Sequence, residues 1–295
     1  MDNIKIEIYD ERFHQLVGTQ FTLEELFGDA IWAEGPAWVA QQQALFFSDV
    51  KGNTMYRWTE ANGTHFYRAP SFFSNGNSVD TNGNLITCEH GSRGISLTDA
   101  QGNRRLLIDR IDGKRLNSPN DVVVKSDGTI WFTDPPYGIL NDAEGSKAPS
   151  EVIGCYVYRF DPKSGKINIA TFNTMRPNGL AFSPDESQLF VADMSVVEFD
   201  EDGLHHLVVF DVDGKYLKNR RTVAAINPGI PDGFRIDPQG VIYCSCGNGI
   251  MILLSDGTPL GRFVLGKKTS NCTFGNDNKT LFITATNSLY RLTIK

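Results

Sequence analysis

Residues 119–134 read Pro119-Asn120-Asp121-Val122-Val123-Val124-Lys125-Ser126-Asp127-Gly128-Thr129-Ile130-Trp131-Phe132-Thr133-Asp134. A short apolar run meets Asp127-Gly128, and a second apolar run follows and ends on an acid. Asp-Gly between two such runs marks a tight hairpin, because the turn needs residues that tolerate positive φ. The unit recurs. Glu34 leads to Gln41 and Asp49, Asn75 to Asn82 and Glu89, and Asn178 to Asp185 and Asp193. Asp232 leads to Gln239 and Cys246, and Asn271 to Asn278 and Ala285. In all six units the turn residue lies seven positions after the leader, and the second strand ends 14 or 15 positions after it.

The leaders are spaced by 41, 45, 58, 54 and 39 residues. A period in the forties with two hairpins per unit is that of a four-stranded propeller blade. The second hairpin is visible in Cys155–Phe160 with Ile167–Phe172, and in His206–Phe210 with Tyr216–Arg220 across Asp213-Gly214. No long stretch has helical periodicity. The expected fold is therefore all-β, a six-bladed propeller over residues 31–295. The last unit runs out one strand short after Ser288–Ile294, and residues 1–30, through Thr19–Leu26, are expected to close it as a strap. Closure removes a free sheet edge.

The chain has 295 residues, 40% of them hydrophobic and 21% charged, with a net charge of −7. A large core is feasible, and the acidic balance speaks against nucleic acid as a partner. The densest apolar run, Ile250–Leu254, is far too short to span a membrane. The start, Met1-Asp2-Asn3, carries no basic-then-apolar leader. The five cysteines show no zinc spacing, so reduced thiols in a cytoplasmic protein are expected.

Equivalent first positions of six inner strands form a ring at one mouth of the channel. The ring carries Glu34 and Asp232 with Asn75, Asn120, Asn178 and Asn271. Converging oxygen ligands around a narrow axis suit a hard divalent cation. Singly, Asn or Asp before Gly is more often turn chemistry, as at Asn75-Gly76, Asn178-Gly179 and Asp232-Gly233. One register for all six favours a metal site. Acids at the second-strand ends, such as Glu89 and Asp134, are expected to flank the same mouth.

Four motifs carry a resemblance across residues 20–295. They are Ala33-Glu34-Gly35-Pro36-Ala37-Trp38, Ser118-Pro119-Asn120-Asp121, Pro177-Asn178-Gly179-Leu180-Ala181-Phe182-Ser183-Pro184-Asp185, and Pro231-Asp232-Gly233. The chain resembles the senescence-marker-protein/gluconolactonase family, which includes regucalcin and bacterial sugar lactonases. Cys88-Glu89-His90-Gly91 and Trp131-Phe132-Thr133-Asp134-Pro135-Pro136-Tyr137-Gly138 look like its bacterial gluconolactonase branch. The resemblance implies a six-bladed propeller and a metal held at Glu34, Asn178 and Asp232. Asn120 lies beside it as a further ligand or a substrate contact. The ion is calcium, with magnesium, manganese, zinc or ferrous iron as alternatives, and it acts as a Lewis acid on a small lactone.

Asp232 is the candidate general base. His90, Asn117, Tyr137 and Arg93 join Asn120 as candidate substrate contacts. Ser118-Pro119 stand where the animal branch has Arg-Phe, so Arg93 or Arg115 is a candidate replacement for the sugar-contacting arginine. The alternative for His90 is a packed or surface role. Trp32, Trp38, Trp58 and Trp131 are expected between blades. No G-x-S-x-G elbow or H-E-x-x-H motif is present. Two other readings compete, an organophosphate-cleaving propeller and a non-catalytic calcium-binding one.

Overall fold

The structure is a computed structural model that describes residues 4–200 and 203–294; the first three residues of the expected strap and the last residue of the expected propeller lie outside it. Six antiparallel blade sheets follow one another in chain order, five of four strands and the fifth of five, with a separate two-stranded ribbon of Arg110–Ile111 and Lys114–Arg115 between blades two and three. The first blade runs Ala33–Val39, Ala44–Asp49, Thr54–Thr59 and Gly63–Arg68, and the third runs Val122–Val124, Ile130–Thr133, Val157–Asp161 and Lys166–Thr171. The quoted stretch is thus the inner hairpin of blade three, with Val122 opposite Phe132 and Val124 opposite Ile130. Among the described residues the helices are Arg12–Leu16, Tyr137–Leu140 and Val196–Phe199, with a single 3-10 turn at Ala40–Gln42. None is long and apolar enough to cross a membrane.

The N-terminal segment serves two blades. Phe21–Phe27 pairs antiparallel with Ser288–Ile294, which gives blade six its outer strand. Lys5–Ile8 pairs with Pro259–Val264 and adds a fifth strand to blade five. Phe13, fully buried, packs its ring 5.7 Å from Phe263 and 6.0 Å from Phe21, so the short helix fills the gap between the two blades.

Apolar side chains fill the spaces between blades. Trp131 packs with Leu180, Leu189 and Val208 between blades three and four. Trp38 stacks on Phe282 at 5.5 Å and joins blade one to blade six. All five cysteines are free and buried.

Close approach of the inner strands explains the glycines after the leaders. They lie within or beside strands rather than in turns. A Cβ on Gly76 would come 2.5 Å from the Asn120 carbonyl, and one on Gly179 would come 2.4 Å from the Asp232 carbonyl. The same glycine N–H groups donate to those carbonyls, at 2.8 and 3.0 Å. Each bond links the leader position of one blade to the next.

Candidate active site

Five of the six leaders, Glu34, Asn75, Asn120, Asn178 and Asp232, line one cavity of about 320 Å³ at the axis. That volume falls within the range of roughly 300–1,000 Å³ usual for small-molecule sites. All five side chains are buried. The sixth leader, Asn271, does not line the cavity: its Nδ2 donates to Asp121 Oδ2 at 3.4 Å, and its amide also hydrogen-bonds the Glu34 carboxylate. A larger hollow of about 460 Å³ lies among the turns of blades five and six. Its acids, Asp237 and Asp277, are spent on N–H groups of their own turns.

The backbone of the ring is held from outside. Ser245 Oγ accepts from Asp232 N at 2.9 Å, and Thr133 Oγ1 donates to the Asn178 carbonyl at 2.7 Å. Asn178 Nδ2 donates to Met194 Sδ at 2.7 Å, which leaves its Oδ1 free as an oxygen ligand. Burial raises the Glu34 carboxyl well above its ordinary range, and the neighbouring Asp232 charge raises it further. Burial also raises Asp232, against a lowering by Lys268. Among the described residues neither carboxylate has a basic group within ion-pair distance, although Arg235 lies 3.7 Å from Asp121 below them.

Two buried, facing carboxylates without a cation are costly. A divalent ion removes that cost, and carboxylate plus amide oxygens are the ligands a hard ion takes. Among the described residues no three His, Cys, Asp or Glu side chains gather as a metal-binding group. The ring has two carboxylates, and its other oxygens come from amides. The donor set fits a hard divalent ion.

Tyr137 lines the cavity, and its buried hydroxyl has no hydrogen-bond partner among the described residues. His90 reaches the site only through Asn75. Its Nδ1 donates to the Glu144 carbonyl at 2.8 Å, so its Nε2 accepts from Asn75 Nδ2 at 3.2 Å. Burial pushes the imidazole down to about 4, so it is neutral at pH 7. Asn117 and Arg93 do not line the cavity. Asn117 Nδ2 donates to the carbonyls of Asp134 and Gly154, both at 3.1 Å. Arg93 Nε donates to the carbonyls of Leu116 and Asn117, at 2.7 and 3.1 Å. Arg115 is likewise absent from the lining, and its guanidinium donates to the Ser92 carbonyl at 2.9 Å.

The cavity also gathers Trp32, Lys51, Glu144 and Lys268, which sequence reasoning did not single out for it. Trp32 was expected between blades. It stands at the mouth because its N–H donates to Asp49 Oδ1 at 2.9 Å and its carbonyl accepts from Val50 N at 3.0 Å. Their offsets from the leaders were the available signal. Trp32 lies two positions before Glu34, Lys268 three before Asn271, and Lys51 two after the strand-end Asp49.

The second-strand acids are not part of the mouth. Asp49 accepts from the N–H groups of Ile31, Trp32 and Gly52. Asp193 accepts from Met175, Arg176 and Ser195, and Asp134 from Asn117. Glu89 is bound by Arg104, Ser92 and Ser96. These acids fix the chain just before or beside the inner strands and do not face the cavity.

The chain is similar to known proteins over nearly its whole length. The family model for the SMP-30/Gluconolactonase/LRE-like region matches residues 32–287. A gluconolactonase of Zymomonas mobilis is 32% identical, over 99% of this chain and 86% of that protein. A pentonolactonase of Haloferax volcanii is 24% identical, over 85% of this chain and 80% of that protein. The solved structure of a gluconolactonase from Xanthomonas campestris superposes with a TM-score of 0.93 at 37% identity, covering 100% of this chain and 96% of that one.

Proposed function

The chain belongs to the SMP-30/gluconolactonase/LRE-like family, and from that premise we propose that it is a hydrolase opening a small sugar lactone at the ring. One divalent ion, calcium first among the candidates, is held by Glu34, Asn178 and Asp232, with Asn120 beside them. The supporting observation is the pair of buried carboxylates on the axial cavity with, among the described residues, no basic group at ion-pair distance. Buried and reduced thiols suit a reducing compartment such as the cytoplasm.

When bound, the ion offsets the two carboxylate charges and supplies Lewis acidity toward the lactone carbonyl. The remaining work belongs to the chain. Asp232 takes the proton of the attacking water and returns it to the departing ring oxygen, so the carboxylate ends as it began. Tyr137 offers its free hydroxyl to a substrate oxygen. Asn120 presents its amide to the substrate from the neighbouring blade, and His90 holds Asn75 in place.

A panel of lactones assayed on chelator-stripped protein, with calcium, magnesium, manganese, zinc and ferrous iron each added back, tests this reading. Glucono-1,5-lactone hydrolysis is expected to vanish on stripping and to return with at least one ion. Full activity without any ion removes the metal from the reaction. Turnover of a fluorophosphate in place of every lactone replaces the substrate class.

A further inference from the structure

The rim above the ring carries charge that the reaction leaves unused. Lys51 and Lys268 line the same cavity as Glu34 and Asp232. Their ammonium groups stand 5.6 and 5.4 Å from the centroid of the Trp32 ring, so they are no more than about 11 Å apart. The indole favours a cation over its face and helps keep both groups at the rim. The backbone fixes their starting points. Val50, beside Lys51, donates to the Trp32 carbonyl at 3.0 Å, and the Lys268 carbonyl accepts from Thr286 Oγ1 at 3.2 Å.

Among the described residues, the lysines in ion pairs are Lys5, Lys125, Lys218 and Lys267. Lys51 and Lys268 are in none. The acid that shares the rim with them is Glu144. The two ring carboxylates balance a divalent ion, which leaves one carboxylate against two ammonium groups. The mouth therefore carries surplus positive charge in a chain whose net charge is −7. A neutral sugar lactone gives that surplus nothing to pair with.

We propose that Lys51 and Lys268 bind an anionic group, carboxylate or phosphate, at the end of the lactone distal to its reacting carbonyl, so that the preferred substrates are acidic sugar lactones. This rests on the lactonase reading of the ring. The reacting carbonyl sits on the floor among the ring oxygens, and the far end of the molecule meets the rim.

The test is kcat/KM of the ion-loaded protein at low ionic strength, corrected for spontaneous opening, on three probes. These are neutral glucono-1,5-lactone, 6-phosphoglucono-1,5-lactone and the carboxylated glucaro-1,4-lactone. At least one acidic probe is expected to exceed the neutral one by about tenfold, the size that two exposed ion pairs supply. The acidic probe that leads distinguishes phosphate from carboxylate. The acidic-to-neutral ratio should fall in about 1 M salt, where charges are screened beyond about 3 Å. It should also fall toward one in the Lys51→Gln/Lys268→Gln variant. A wild-type ratio of one or less, or an acidic preference that survives the double substitution, overturns the inference and leaves the lactonase reading standing. No turnover of any of the three probes overturns both.

Discussion

The first four blades place polar residues at two buried levels, the leader and the second-strand end, and the two levels do opposite things. At the leader level, Glu34 and Asp232 face a cavity with no basic group at ion-pair distance. At the second-strand end, Asp49 and Asp193 are equally buried, but each accepts three backbone N–H groups. A carboxylate that satisfies buried N–H groups stabilises the fold. A carboxylate left facing another carries a desolvation cost that the fold does not return. The repeat thus separates acids that position the chain from acids that line the axial cavity. The positioning acids at Asp49 and Asp193 grip the residues just before Glu34 and Asn178, so the strand-end level sets the geometry of the leader level.

Exchanging charge at one level and then the other sharpens this contrast. Asp232→Asn keeps the shape but removes the base and one metal charge. Its kcat should drop on the order of 10²–10⁴-fold, while the melting temperature of ion-free protein holds or rises. A lower ion-free melting temperature would mean that Asp232 is a structural acid after all. Asp193→Ala should do the reverse. Three backbone donors lose their acceptor, and urea unfolding should show a loss of about 3 kcal/mol. An unchanged urea midpoint would mean that the N–H groups of Met175, Arg176 and Ser195 do not need this acid.

The sequence carried the repeat well because the hairpin chemistry is local. Leader, turn and strand end sit at fixed offsets, so backbone register could be counted without coordinates. Register fixes where a Cα lies and leaves the rotamer to the neighbours. Asn271 is in register, yet its amide is shared between the buried acids Asp121 and Glu34 and does not line the cavity. Asn117 and Arg93 looked available for sugar, but the carbonyls of Asp134 and Gly154 take the Asn117 amide and those of Leu116 and Asn117 take Arg93 Nε. Glu89 and Asp134 were expected at the mouth because the chain returns to that face. They stop one layer out, where backbone and guanidinium donors meet them. The rim lysines were invisible for another reason. A lysine between strands reads as a solvated side chain until three distant segments are seen to share one opening. The partnerless hydroxyl of Tyr137, by contrast, lies on a helix directly after a motif that the sequence did expose.

Asp134 is the positioning acid closest to the border between the two levels, and it makes the smallest and most specific test. Its Oδ2 accepts from Asn117 N at 2.8 Å, while its buried Oδ1 has no partner. Burial raises this carboxyl to about 7, against lowering by the Asn117 and Ser118 N–H groups and by Arg93. In the unfolded chain it ionises near the ordinary value of 3.8. Between those two values the folded protein holds a proton that the unfolded chain has released. The stability this contributes is therefore complete below about pH 4 and is lost as pH rises through about 7. Asp134→Asn cannot ionise and lacks that slope. Comparing melting temperatures from pH 5 to pH 8, the difference should move in favour of the Asn variant and level off above about 7, by an amount worth about 2–3 kcal/mol. A difference that stays flat across the range would show Asp134 ionised throughout and held as firmly as Asp193. The border between the two levels would then lie between the leaders and every second-strand acid, with none of those acids in between.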